Sequence, residues 1–228
     1  YECCGMKEAF DGIGGLEVLL ILLAEVKQKE EALCVINVMR KFLMNNKSAA
    51  SYYRSNHVGK IFIDIMSVTQ YQSNEKQVKL NECVEIVKEL EQFCFKNKQI
   101  ISEELLVDIF FNAPFWIRAS EDVFLEYMKS IHSILQSSNN EHLIKSLDNL
   151  KCIETFISYI VILIGLHEKQ IQKEYLDSIA ILLNSPIWEK VLEMFQNIIT
   201  QYCNHIVPSE QLPLYGSEMK NNSIHREG

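Results

Sequence analysis

Apolar residues recur along this chain at spacings of three and four, a rhythm that predicts helices almost throughout. From about Gly14 to Gln28 the run Leu16, Val18, Leu19, Leu20, Ile21, Leu22 and Leu23 is apolar nearly all round. That marks a helix covered on several sides. A second helix is expected over Glu30–Met44, carried by Leu33, Ile36, Val38, Phe42 and Leu43 and stopped by Asn45-Asn46. Ser48–Arg54 reads as a short helical turn, and His57-Val58-Gly59 leads into a helix ending near Ser67. Tyr71–Glu75 reads as a polar loop, after which Asn74 and Gln77 stand at the spacing of a capping box. The helix they would start carries Leu80, Cys83, Val84, Val87, Leu90 and Cys94 as one stripe.

The second half follows the same pattern. Ser102 is placed to cap Glu103–Phe111, and Pro114 opens a short Phe115-Trp116-Ile117 turn. Ser120 is expected to cap a helix striped by Phe124, Tyr127, Met128, Ile131, Ile134 and Leu135. Further helices are expected at Glu141–Leu147, Leu150–Leu166 and Glu168–Leu183. Ser185-Pro186 is a start signal, because proline at the first helical position gives up no needed hydrogen bond. The last helix would bury Ile187, Val191, Leu192, Phe195, Ile198, Ile199 and Tyr202. From His205 onward Pro208, Pro213, Gly216 and a polar run predict a flexible tail or linker over 205–228, leaving 1–204 as the folded domain.

The fold class expected is therefore all-α. Only 8 Gly and 4 Pro leave little material for the turns of an all-β fold. A weak internal repeat sharpens the expectation. Gly15-Leu-Glu-Val-Leu-Leu, Gly59-Lys-Ile-Phe-Ile-Asp-Ile and Glu103-Glu-Leu-Leu-Val-Asp-Ile align with Val18, Phe62 and Leu106 spaced 44 apart by subtraction (18 to 62, 62 to 106). Armadillo and HEAT units repeat every ~40–47 residues. An armadillo/HEAT-like α-solenoid of about ten antiparallel helices is expected, with a compact helical bundle as the alternative.

Charge narrows the partners. A formal net charge of −8 without a basic stripe argues against a nucleic-acid platform and against docking on an acidic membrane surface. The most apolar run, Phe156–Leu166, is about half of the ~20 residues a bilayer span needs, so no direct membrane insertion is expected. Cys3, Cys4, Cys34, Cys83, Cys94, Cys152 and Cys203 form no C-x-x-C pair, and most lie on apolar stripes where a thiol packs as a small hydrophobe. That usage points to a reducing, cytoplasmic location. A first residue of Tyr1 rather than Met suggests a segment of a larger chain, with a processed N-terminus as the alternative.

Candidate chemistry is sparse. Gly12-Ile13-Gly14-Gly15 invites a phosphate-loop reading, but Leu16 and Glu17 stand where such a loop needs Gly-Lys-Ser/Thr. A tight turn fits better. His57, His132, His142, His167, His205 and His225 include no zinc-ligand spacing, with His132 and His142 expected near helix or loop surfaces. No catalytic, cofactor or metal residues are predicted, and the chain is expected not to be an enzyme. Phe110, Phe111, Phe115 and Trp116 form the densest aromatic cluster. It reads either as a core plug or as an exposed partner anchor.

Three stretches carry a family resemblance. Ile13-Gly-Gly-Leu-Glu-Val-Leu-Leu is the first. Met44-Asn-Asn-Lys-Ser through His57-Val-Gly-Lys-Ile-Phe-Ile-Asp-Ile is the second. Val107-Asp-Ile-Phe-Phe-Asn-Ala-Pro-Phe-Trp-Ile-Arg-Ala with Leu150-Lys-Cys-Ile-Glu-Thr-Phe-Ile is the third. Over about Gly14–Ile160 they resemble the armadillo-like region upstream of the BEACH domain in neurobeachin-related scaffolds, the Phe-Trp-Ile-Arg segment most distinctively. The resemblance implies a non-catalytic scaffold segment in vesicle or lysosome-related membrane trafficking, with protein partners and any endomembrane contact made by other domains. It carries over no functional residues. The alternative is a helical regulatory module of formin type that binds a small GTPase, on the strength of the similar Met-Asn-Asn-Lys helix and loop.

Overall fold

The computed structural model describes residues 14–45, 47–56, 58–73, 76–96, 99–100, 103–136, 140–159, 163 and 169–206. Helices dominate. In chain order they are α1 (Gly15–Glu25), α2 (Lys29–Asn45), α3 (Lys47–Ser55), α4 (Val58–Val68), α5 (Glu85–Cys94), α6 (Glu103–Leu105) and α7 (Ala113–Ile117). The remainder are α8 (Glu121–Leu135), α9 (Asn140–Asn149), α10 (Cys152–Ser158), α11 (Lys169–Leu183) and α12 (Trp188–Ile206).

Two small antiparallel hairpins interrupt the helices. Strands β1 (Gln70–Ser73) and β2 (Lys76–Lys79) pair with Tyr71 opposite Val78, and β3 (Phe95–Lys96) pairs with β4 (Gln99–Ile100). The polar loop and the Asn74–Gln77 capping box expected at this place are therefore corrected. Gln77 is a strand residue, and α5 starts at Glu85 after a 3-10 turn over Leu80–Glu82. Burial of Tyr71 in the hairpin and of Leu80 in the turn favours this over one longer helix. The box that does form is one turn later, where Glu82 accepts from the Lys79 amide at 3.3 Å.

Other boundaries shift for local reasons. Gly14 sits at φ 106°, in the left-handed region, so α1 opens one residue later than the apolar run suggests. Ser102 and the loop residues 137–139 lie outside the described residues, and so does most of the predicted Leu150–Leu166 helix beyond Tyr159. Ser120 occupies the N-cap of α8, but its side chain makes no capping bond. Pro186 stands in a turn two residues before α12, where the Ser185 hydroxyl accepts from the Ile187 amide at 3.4 Å. Helix α12 runs through His205 to Ile206, one residue beyond the expected tail boundary at His205.

The expected Glu103–Phe111 helix changes type midway. After α6 the backbone winds as a π-turn over Leu106–Phe110, and the Phe111 amide donates to the Leu106 carbonyl at 2.9 Å. The wider turn lets Leu105, Leu106, Ile109 and Phe110 all face inward. Asn112 then caps α7, accepting from the Phe115 amide at 3.2 Å.

Contacts between helices fall into two series. In one, α2 packs on α5, α5 on α8 and α8 on α11. In the other, α1 packs on α4 and α4 on the π-turn. The series are joined by α1 against α2 and α5 against the π-turn. Beyond these, α9 meets α8 and α10, and α12 closes on α10 and α11.

Burial follows the same series. Leu19, Phe62 and Leu105 are buried counterparts 43 residues apart by subtraction (19 to 62, 62 to 105), as are Leu23, Met66 and Ile109. The alignment on Val18 misses by one residue, because Val18 is only half-buried. Between α8 and α11 the spacing is 48: Val123, Tyr127 and Ile134 match Ile171, Tyr175 and Leu182 by subtraction (123 to 171, 127 to 175, 134 to 182).

Candidate functional sites

The aromatic cluster is core. Trp116 is 0% exposed, and its indole N–H donates to the Phe110 carbonyl at 2.7 Å. Its ring stacks on Tyr127 with centroids 4.1 Å apart, and Phe110 and Phe115 meet it edge-on. Of the two readings open from sequence, the plug is therefore observed. Tyr127 continues the chain of rings to Phe124 and Tyr159, and Phe156 carries it on to Tyr175. The Tyr175 hydroxyl donates to the Ile157 carbonyl at 3.0 Å, which ties α11 to α10. Desolvation raises the pKa of Tyr127, Tyr159 and Tyr175, keeping these phenols neutral.

Beside the plug, Gly59 marks the closest approach of α4 to its neighbours. A Cβ there would lie 2.7 Å from the Cβ and Oδ2 of Asp108 and closer still to the Tyr53 hydroxyl. Only glycine leaves room for all three segments. Sequence reasoning read this residue as the lead-in to a helix. Its packing role depends on Tyr53 and Asp108, which no local pattern brings together.

A polar cluster lies where β1 and the start of α5 meet α2. A cleft of about 380 Å³ is lined by Lys29, Glu30, Tyr71, Gln72, Glu82, Cys83, Val84 and Glu85. Lys29 Nζ donates to Glu85 Oε1 at 2.7 Å, and the Cys83 thiol to Glu85 Oε2 at 3.2 Å. Hydrogen bonding from Lys29 is the main reason the Glu85 carboxyl falls to about 2. Burial pushes the Cys83 thiol up, and its hydrogen bond to Glu85 adds to the rise. A thiol held protonated is a poor nucleophile, and here the neighbouring carboxylate opposes thiolate formation. The ammonium of Lys29 is engaged by that same carboxylate. This arrangement ties α2 to α5.

The remaining sequence candidates separate cleanly. Glu17, in the first turn of α1, accepts from the Tyr52 hydroxyl beside Gly14 and Gly15. A β-carbon on Gly14 would press on Val18 Cγ2 at 3.0 Å, which fits the tight-turn reading. His132 is not a surface residue as expected: it is half-buried between α8 and α11, with Nδ1 2.9 Å from Glu174 Oε2. His142 is exposed, and His57, His167 and His225 lie outside the described residues. Among the described residues no group of three or more His, Cys, Asp or Glu could hold a metal ion, and no helix is long and apolar enough to cross a membrane. Cys83, Cys94 and Cys152 are buried free thiols, and burial raises Cys152 to about 12.

Exposed apolar side chains are the feature that sequence patterning missed. Leu192 and Ile199 were expected to be buried, yet they are 41% and 52% exposed. They lie with Trp188 along one side of α12, and among its described side chains Val191 alone is fully buried. The stripe of α12 is simply wider than the groove that receives it. Ile21, Ile61 and Val68 are likewise exposed, on α1 and α4.

No protein-family model, curated protein or solved structure matches this chain.

Proposed function

We propose that this chain is an α-solenoid segment of a cytosolic scaffold, and that it works by presenting a shaped helical surface to protein partners. The burial register carries the reading. Counterpart core residues recur 43 residues apart through α1, α4 and the π-turn, and 48 apart from α8 to α11, by the subtractions given above. The first spacing falls inside the ~40–47-residue period of armadillo and HEAT units, and the second lies just above it. A helix whose apolar side is finished only by its neighbour belongs to a stacked array. Exposed Ile61 and Val68 on α4 supply the kind of apolar anchor that a partner helix engages. The three stretches that resemble the region upstream of BEACH domains support a narrower proposal, a scaffold in vesicle or lysosome-related trafficking.

Small-angle scattering tests the architecture. A compact 228-residue domain has a radius of gyration of about 17 Å. The solenoid is expected to exceed that and to give a cross-section of roughly two helix diameters, ~20–24 Å. A globular profile would defeat it. The scaffold role is tested by partner capture. Partners retained by the wild-type chain and lost on Ile61→Glu, with helicity unchanged, support the role, and capture indifferent to Ile61→Glu and Val68→Glu counts against it.

A further inference from the structure

Helix α12 carries two apolar lines, and the fold uses one of them. Val191, Met194 and Ile198, three and four residues apart, pack against the core where α12 meets α10 and α11. Trp188, Leu192, Phe195 and Ile199 form the second line, at spacings of four, three and four. Phe195 is half-buried, while the other three are 46%, 41% and 52% exposed. Alternate spacings of three and four keep one side of a helix apolar through successive turns, the pattern by which two helices interlock their side chains. On the helix alongside, Leu176, Ala180 and Leu183 are exposed at spacings of four and three. Since α11 rests on α8 and α12 on α10, both open lines lie on sides that those neighbours leave uncovered.

We infer that this face is a self-association surface, on which a second copy of the chain lays its own α12 antiparallel to the first. Charge decides for a second copy. The acidic and basic residues of α12, Glu189, Lys190 and Glu193, all lie in its first two turns, and Met194–Gln201 carries none. A basic or acidic partner finds no complementary rim along that uncharged stretch. An identical helix running the other way does fit. It sets the charged end of each copy beside the uncharged end of the other, so like charges stay apart and the two helix dipoles oppose. The side chains match in the same register. With Trp188 against Ile199 of the second copy, Leu192 meets Phe195 of the second copy, and the Glu189 carboxylate comes beside Gln196 of the second copy. A Gln amide and a Thr hydroxyl both donate and accept, so exposed Gln196 and Thr200 suit the self-matching rim that a two-fold contact requires. The area is also sufficient. The exposed parts of Trp188, Leu192, Ile199, Leu176 and Leu183 come to roughly 300–400 Å² of apolar surface per copy. A contact at the small end of the standard range commits about 600 Å² per partner, a little over half of it apolar. Association is expected in the micromolar range, the weak end for contacts of this kind. The inference stands apart from the scaffold reading, since it needs only α11 and α12.

Sedimentation equilibrium of the full chain tests it together with tryptophan fluorescence. The weight-average mass is expected to rise from one chain to two as concentration passes through the micromolar range. There are 2 tryptophans and Trp116 is fully buried, so acrylamide quenching reports on Trp188. That quenching is expected to fall with the same midpoint as the rise in mass. Leu192→Glu and Ile199→Glu should each hold the chain monomeric with circular dichroism unchanged, whereas Ile21→Glu on α1 should still dimerise. A wild-type chain that stays monomeric well above the micromolar range would overturn the inference. So would a dimer whose Trp188 remains as open to acrylamide as in the monomer, a readout that needs no variant to fold.

Discussion

The middle of the chain and its C-terminal hairpin are built from the same kind of helix, yet they use their apolar residues differently. Helix α8 is covered by α5 on one side and α11 on another, and Val123, Phe124, Tyr127, Met128, Ile131, Ile134 and Leu135 are all buried. Helix α12 is longer and just as regularly striped, but among the described residues it packs mainly on α10 and α11, with Lys190 reaching Asp148 of α9 at 2.6 Å. Val191 is buried, Met194, Phe195 and Ile198 are half-buried, and Trp188, Leu192 and Ile199 stay exposed. Periodicity thus states how much apolar surface a helix offers. The number of neighbours decides how much of it is used.

Mutations in the two regions should therefore differ by several-fold. Trp116→Ala removes the largest side chain of the plug and its bond to the Phe110 carbonyl, and should cost roughly 3–5 kcal/mol in a denaturant titration. Gly59→Ala comes next. The added methyl must displace Tyr53 or Asp108, which should cost about 1–3 kcal/mol, measured in the same way. Equal stability of Gly59→Ala and wild type would mean that α3, α4 and the π-turn do not pack as closely as described.

Smaller effects sharpen the contrast. The Lys29–Glu85 pair ties α2 to α5 at the surface, where Glu85 is 54% exposed and solvent screening keeps the gain small. Since the Glu85 carboxyl is held near 2, below its ordinary value of 4.5, its contribution is present above about 4.5 and is lost as pH falls toward 2. Lys29→Met should flatten that part of the stability–pH curve. At the bottom of the scale, Trp188→Ala should change stability by no more than about 0.5 kcal/mol, several-fold less than the effect at Trp116. A loss of several kcal/mol at Trp188 would erase the distinction between the two regions.

Much of the architecture was legible from spacing alone. The helices around Leu16–Leu23, Ile36–Leu43, Leu90–Cys94 and Phe124–Leu135 follow directly from their stripes, whereas the density of the aromatic cluster left open whether it was core or anchor. What spacing could not carry was the hairpin Gln70–Lys79, because Tyr71 and Val78 form a cross-strand pair only after the chain reverses. The repeat register slipped by one residue for a related reason. Val18 and Leu19 are adjacent and equally apolar, and packing against α4 alone distinguishes them. The Lys29–Glu85 and His132–Glu174 pairs, 56 and 42 residues apart, were beyond any local pattern.

Amide hydrogen exchange followed helix by helix is the most direct test of a core divided among neighbouring layers. The account expects the slowest exchange in α8, which has neighbours on both sides, and much faster exchange in α12 through an opening that leaves α8 closed. Uniform protection from α1 to α12, lost in one cooperative step, would contradict it.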